Sequence, residues 1–300
     1  MYRWEPQNCP VCDTPPAKFL GRRGGSAHRQ NLGVECQIWK CKCGMIFPNP
    51  MPVPLDLNQH YDEPDEYFIH HDPKEKTFHA RGNLNRAESI FRKGRMLDIG
   101  AGCGETLRAA RDLSWDAVGI EPSITFAERA REYSGAEVYE SLQGRFPSES
   151  FDFVVLRAVI EHLYNPDETI REISRILKPG GVLFLDAPNE SGLYFHLGNL
   201  YQKLRGRDWV VNLAPTFAPF HVFGFSPSSL RKLLSKHDLR IVEFRVYGGQ
   251  SYVPNNGLMG FVEQQSARAV SALSNYFNLG TYMEAWAVKE RATSKINAGH

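Results

Sequence analysis

Met96-Leu97-Asp98-Ile99-Gly100-Ala101-Gly102-Cys103-Gly104-Glu105-Thr106-Leu107 is the stretch that decides the fold. A short apolar run ends beside an acid, passes through alternate glycines and enters the helix-forming residues 105–111. That order is a strand, a tight turn and a helix N-terminus. Glycines at 100, 102 and 104 permit backbone angles that a Cβ forbids, and they leave room for a ligand against the main chain. The helix start adds unpaired N–H groups suited to a polar or anionic ligand. In a dinucleotide fold the third glycine falls three positions after the second. Here the spacing is Asp-x-Gly-x-Gly-x-Gly, so another ligand is expected.

The chain beyond the turn repeats the same grammar. Residues 117–122, Ala-Val-Gly-Ile-Glu-Pro, form a second short apolar run stopped by an acid. A carboxylate there can accept both hydroxyls of a ribose. Pro122 and Ser123 open a helix over 124–133 that ends near Gly135. A third strand is expected at 136–139, and the apolar 151–156 has the look of a buried parallel strand. A helix over 167–177 stops at Lys178-Pro179-Gly180-Gly181, and 182–189 is the fifth strand. Residues 239–247 and 282–289 read as further strands, with a helix over 257–277 between them.

Four segments in this order carry a resemblance: the glycine turn, the acid at Glu121, Arg157 to Leu163 followed by Asn165-Pro166, and Leu177-Lys178-Pro179-Gly180-Gly181. Together they resemble the class I S-adenosylmethionine-dependent methyltransferases over roughly residues 95–245, half the chain. The resemblance implies a Rossmann-like α/β fold with a seven-stranded sheet, mostly parallel and with the last strand antiparallel. It implies that Gly100, Ala101, Gly102 and Gly104 hold the methionine end of the cofactor while Asp98 orients its amino group. Glu121 and Pro122 then face the ribose, Leu142 and Gln143 the adenine, and Arg157 and Ala158 complete the cofactor wall. Nucleobase amino-methyltransferases carry Asn or Asp, Pro-Pro and an aromatic after the fourth strand. This chain has no such motif there, which argues against N-methylation of adenine or cytosine.

Composition narrows the partners. Across 300 residues, 35 Lys and Arg nearly balance 34 Asp and Glu, so no global field draws the chain to nucleic acid or an anionic membrane. No apolar run reaches membrane-spanning length, and the first residues lack a signal-peptide core, so a cytoplasmic protein is expected. Five of the six cysteines crowd into positions 9 to 43. In a reducing compartment that clustering points to metal. Cys9-Pro10-Val11-Cys12 and Cys41-Lys42-Cys43 supply the four thiolates of a closed, structural zinc site. The second pair has one intervening residue where two are usual, and Cys36 could replace Cys41 or Cys43. Buried free thiols or a metal-free ribbon are the alternatives. With the ribbon, the chain resembles bacterial zinc-ribbon methyltransferases, several of which modify sugars or polyketide-type natural products.

The expected organisation is a zinc-ribbon-like module at 1–47, a linker and packing helix at 48–94, and a cofactor-binding domain at 95–290 with a polar tail at 291–300. Phe-Pro-Asn-Pro-Met-Pro-Val-Pro at 47–54 reads as an extended linker, 61–79 as a solvated or substrate-facing segment rich in Tyr and His, and 84–91 as an amphipathic helix. The insertion at 190–225 carries Tyr194, Phe195, Trp209, Phe217 and Phe220 and is too long for an ordinary connection, so it is expected to be a lid over the acceptor. Packing or a dimer contact is the alternative for any single aromatic.

Two histidines are candidates for catalysis. His221 lies four residues before the Phe225-Ser226 pair that opens a helix over 227–236. By resemblance to zinc-ribbon sugar C-methyltransferases it is the general base, although Phe220 stands where that family has Glu, and a structural histidine of the lid is the alternative. His162 follows Glu161, a pair that in ubiquinone-pathway O-methyltransferases binds Mg²⁺ together with an earlier Glu. That earlier position is Ala158, so no catalytic magnesium is expected, and Glu161 and His162 either line the active site or cap and orient the helix above it. The expected function is S-adenosylmethionine-dependent methyl transfer to a small molecule: a sugar, a polysaccharide precursor or a natural-product intermediate. The alternatives are an RNA-directed methyltransferase gripping nucleic acid with its ribbon, which the charge balance disfavours, and a non-catalytic cofactor-binding scaffold. No membrane partner is expected.

Overall fold

The computed structural model describes residues 2–55, 73–91, 93–248, 265 and 272–291. Its centre is a seven-stranded sheet. In chain order the contributing strands are β6 (Arg95–Ile99), β7 (Asp116–Ile120), β8 (Glu137–Tyr139), β9 (Phe151–Arg157), β10 (Leu177–Pro188), β11 (Leu239–Tyr247) and β12 (Tyr282–Lys289). Their spatial order is β11-β12-β10-β9-β6-β7-β8. Neighbouring pairs from β8 to β10 run parallel, and β12 is antiparallel to both β10 and β11. This is the Rossmann-like α/β sheet expected from the sequence, with the last strand reversed.

Side chains alternate between two apolar layers, as a pleat of period two requires when both faces are covered. Leu97 and Ile99, Val154 and Leu156, and Leu183 and Leu185 face one layer; Met96, Phe153, Val155, Val182 and Phe184 face the other. The second layer is closed by α1 (Pro73–Ile90) through Ala80, Leu84 and Ala87, by α2 (Glu105–Asp112) through Leu107, Ala109 and Ala110, and by α3 (Ile124–Ser134) through Ala127 and Ala130. The first is closed by α4 (Pro166–Ile176) through Ile170, Ile173 and Ile176, and by α6 (Pro227–Lys236) through Leu230, Leu233 and Leu234. The N-terminal segment also covers this layer: Cys9, Val11, Cys41, Met45, Phe47 and Met51 belong to the same buried cluster as Ile99 and Leu156.

That segment contains β1 (Tyr2–Glu5), β2 (Lys18–Arg23), β3 (Cys36–Lys40), β4 (Ile46–Pro48) and β5 (Met51–Pro54). Strands β2, β3 and β4 form an antiparallel sheet, and β1 pairs with β5. The linker expected over 47–54 is therefore strand. Prolines tolerate edge positions that need no N–H donor, and Phe47 and Met51 are buried in the shared core.

Other boundaries move for local reasons. Helix α1 begins at Pro73, well before residue 84. Strand β10 begins at Leu177, paired with Phe151, and the Lys-Pro-Gly-Gly stretch makes an irregularity in register before Val182. Helix α6 starts as expected, because Ser226 and Ser229 form a reciprocal capping box and Pro227 occupies the first turn. The 190–225 insertion contains a helix, α5 (Leu193–Leu204), followed by an irregular stretch. Most of the helix expected over 257–277, most of 61–79 and nearly all of the tail lie outside the described residues. Among the described residues, no helix is long and apolar enough to cross a membrane.

Candidate active site

The glycine turn joins β6 to α2 at the carboxyl edge of the sheet. Gly100, Gly102 and Gly104 all have positive φ, at 75°, 54° and 89°, a region that L-residues enter only at a cost. Their surroundings differ. A Cβ on Gly100 would meet Val159 Cγ2 at 2.3 Å, and one on Gly104 would meet the backbone of Ala130 at 2.9 Å. A Cβ on Gly102 would meet nothing within 4 Å. Gly100 and Gly104 therefore permit close packing of the chain itself, whereas Gly102 borders open space where a ligand can approach the main chain.

Two acids back this turn. Asp98 is buried, and burial pushes its carboxyl up to about 8, against the favourable field of Arg157. A buried acid whose ionised form is disfavoured in this way suits a ligand that brings a cation. Glu121 accepts the Gly102 N–H at 2.8 Å on one oxygen and the Ser123 N–H at 3.1 Å on the other. Burial raises its pKa, while these two amides oppose the rise. Pro122 beside it is exposed, Leu142 is buried in the cluster that includes Ile120, and Gln143 is exposed.

On the other side of β6, Arg157 Nε donates to Asp186 at 3.0 Å and the Ala158 N–H donates to the same carboxylate at 2.8 Å. Ala158 itself has φ 49°. Asp186 was not singled out in the sequence, although it lies near the end of its strand as Asp98 does. Asp98, Gly100, Ala101, Gly102, Gly104, Glu121, Pro122, Arg157 and Ala158 thus lie along one edge, at or just beyond the carboxyl ends of β6, β7 and β9. That is where ligands bind in open α/β sheets. Leu142 follows β8.

A second constellation follows the same edge. The 3₁₀ turn Ile160–His162 carries Glu161 and His162, and the 220–223 stretch is docked on it: the N–H groups of Val222 and Phe223 both donate to the Glu161 carbonyl, at 2.9 and 3.0 Å. This docking brings His221 beside His162, with ring centroids 4.9 Å apart and nearly edge-on. Each histidine has its Nε2 4.0 Å from Glu161 Oε1. His162 Nδ1 lies 3.2 Å from the Phe220 carbonyl, which fixes that nitrogen as the donor and leaves Nε2 as an acceptor. Burial lowers His162 to about 4; burial and the neighbouring imidazole lower His221 to about 3. Both rings are neutral at pH 7. Burial pushes Glu161 up to about 8, and its Oε2 has no hydrogen-bond partner among the described residues.

His221 also stands on the wall of a cavity of about 370 Å³ whose other walls include Tyr194, Phe195, Phe217, Arg23 and Glu190. The sequence did not single out the last two. Arg23 comes from β2 and is held by the carbonyls of Leu213 and Val210 at 3.0 and 3.3 Å. Glu190 is buried and accepts from Asn212 at 2.7 Å. Nothing in the local sequence marks Arg23, because its neighbours come from residues nearly two hundred positions later.

The cysteines form a third cluster. Cys9, Cys12, Cys41 and Cys43 place their sulfurs within 4.8 Å of one another. Cys36 is elsewhere, with its Sγ 3.4 Å from the Val34 carbonyl, and so does not replace Cys41 or Cys43.

Comparison with known proteins bears on the first two constellations. A family model described as a methyltransferase domain matches residues 70–244. A ubiquinone biosynthesis O-methyltransferase of Xanthomonas campestris pv. campestris (strain B100) is 26% identical over 225 residues, covering 69% of this chain and 90% of that protein. One from Chelativorans sp. (strain BNC1) is 34% identical over 169 residues, covering 53% and 63%. Among solved structures, an S-adenosylmethionine-dependent methyltransferase from Methanosarcina mazei aligns with TM-score 0.50 at 19% identity, covering 68% of this chain and 96% of that one. At that identity the likeness concerns the fold.

Proposed function

The chain belongs to the methyltransferase-domain family, and from that premise we propose that it methylates a hydroxyl of a small-molecule acceptor held in the cavity beside His221. It is an S-adenosylmethionine-dependent methyltransferase. The acceptor class we favour is a sugar, a polysaccharide precursor or a natural-product intermediate. Transfer to oxygen is supported by the names of the O-methyltransferase relatives. One observation carries the reading: a glycine turn backed by Asp98 and Glu121 shares its sheet edge with a neutral imidazole on the wall of an aromatic-lined cavity.

S-adenosylmethionine supplies, when bound, a methyl group on a cationic sulfur. Gly102 leaves the space its methionine end needs, Asp98 holds the amino group, and Glu121, flanked by Pro122, takes the ribose hydroxyls. Gly100, Ala101, Gly104, Leu142, Arg157 and Ala158 shape the walls. The protein's task is then mainly alignment, together with removal of the acceptor's proton. His221, supported by His162, marks the place where that proton is lost. Residues 190–225 act as a lid that excludes water. Cys9, Cys12, Cys41 and Cys43 hold a structural zinc ion, and this thiolate set suits a reducing cytoplasm.

The test uses donor labelled in its methyl group, incubated with the enzyme and an extract of source cells. Label is expected in a small-molecule fraction, with His221→Ala slowing transfer by about 10²–10⁴-fold. Label in nuclease-sensitive material, or no transfer at all, would overturn the acceptor assignment.

A further inference from the structure

We propose that Glu161, His162 and His221 together bind one divalent transition-metal ion at the wall of the acceptor cavity. The three offer one carboxylate oxygen and two imidazole nitrogens, all within 4.8 Å of one another. The 4.0 Å separation between each Nε2 and Glu161 Oε1 is too long for a hydrogen bond. Two ligands on metal bonds of about 2.1 Å at a tetrahedral angle lie roughly 3.4 Å apart, so the set stands about half an ångström wider around Glu161 Oε1 than a bound ion would hold it.

The site is built rather than incidental. Glu161 is 2% exposed, its Oε2 is unpartnered among the described residues, and only the two histidines lie within ion-pair reach of it there. A buried carboxylate so placed needs a cation to balance it. Asp186 and Glu190 add to the negative field at the same point. The Phe220 carbonyl accepts from His162 Nδ1, which fixes the tautomer that presents Nε2, as the outer partner of a metal-bound histidine does. The paired backbone bonds from Val222 and Phe223 to the Glu161 carbonyl hold His221 in place without help from an ion.

The donor set also selects the ion. Magnesium prefers all-oxygen octahedra, which a set with two imidazole nitrogens does not supply. Two imidazoles and one carboxylate suit zinc, cobalt, manganese or iron, with coordination positions left over. Because His221 lines the cavity, those positions face the acceptor, where an ion would lower the pKa of a hydroxyl. That catalytic consequence rests on the proposed function; the binding of the ion does not.

Cobalt substitution separates the two metal-binding clusters of the full chain. Metal-depleted protein titrated with Co²⁺ is expected to take up one ion whose visible bands appear without thiolate-to-cobalt charge transfer. A large excess of Mg²⁺ should leave those bands unchanged. His221→Ala and, independently, Glu161→Gln should abolish them, while Cys41→Ser removes only the charge-transfer bands. Calorimetry with S-adenosylhomocysteine on the same samples verifies that each variant is folded and shows separately whether the methyltransferase assignment stands. Wild-type protein that shows thiolate-bound cobalt alone, or non-thiolate cobalt that survives both substitutions, overturns the proposal.

Discussion

Asp98 and Glu121 face the same loop, and burial raises the carboxyl of each, with consequences for pH that are largest at Asp98. Asp98 is raised to about 8 by burial, so in the free protein it holds its proton well above the pH at which an unfolded aspartate releases it. A group raised in this way stabilises the fold fully below the unfolded value near 4, and that stability is lost as pH rises toward 8. A bound ammonium reverses the preference, because it favours the ionised carboxylate. Affinity for S-adenosylhomocysteine should therefore increase with pH up to about 8 and then level, and Asp98→Asn should flatten the rise; calorimetry at several pH values measures both. Glu161, His162 and His221 illustrate what a sequence hides at this scale. Each stood out alone or as a neighbour of another, but their convergence depends on a loop docking through backbone bonds that no residue type announces.

At the scale of elements, the βα turn divides its three glycines between packing and ligand access. Gly100→Ala forces a Cβ into Val159, and Gly104→Ala into the backbone of Ala130, each at positive φ. Both should lower stability by about 1–3 kcal/mol in denaturant titrations. Gly102→Ala meets no neighbour, so its stability loss should be limited to roughly the 1–2 kcal/mol of a left-handed alanine. Its loss of cofactor affinity should exceed that of the other two once their folded fractions are matched. The sheet itself was legible because its parallel strands are short apolar runs, two of them closing on the acids Asp98 and Glu121. The Pro-rich 47–54 stretch was not. Its composition describes a backbone that cannot donate freely, which fits a linker and an edge strand equally, and only the pairing of β1 with β5 separates them.

For the whole molecule, the N-terminal strands and the large sheet share one apolar layer. Cys9, Val11, Cys41 and Phe47 lie in the same cluster as Leu156, Phe223 and Leu230, and Arg23 crosses to the cavity wall. Loss of the four-cysteine site should therefore be felt across the molecule. In Cys41→Ser, thermal unfolding is expected to remain a single transition at lower temperature, reported together by Trp fluorescence and far-UV circular dichroism. A separate early transition confined to residues 1–55 would mean that the layer is not energetically shared. This unity was not legible in the sequence, because the partners of the cysteine-rich segment lie in residues 208–230, across the entire central domain.

On the proposed reading, the edge formed by Asp98, the glycine turn and Glu121 binds the methyl donor. Isothermal titration of the full chain with S-adenosylhomocysteine measures that binding. The expected result is one-to-one binding that Glu121→Ala weakens by more than about tenfold, since a hydrogen bond to a charged group is worth about 1.5–3 kcal/mol. Wild-type protein that neither releases heat nor gains thermal stability with this ligand, or a Glu121→Ala variant that binds as tightly as wild type, would contradict it.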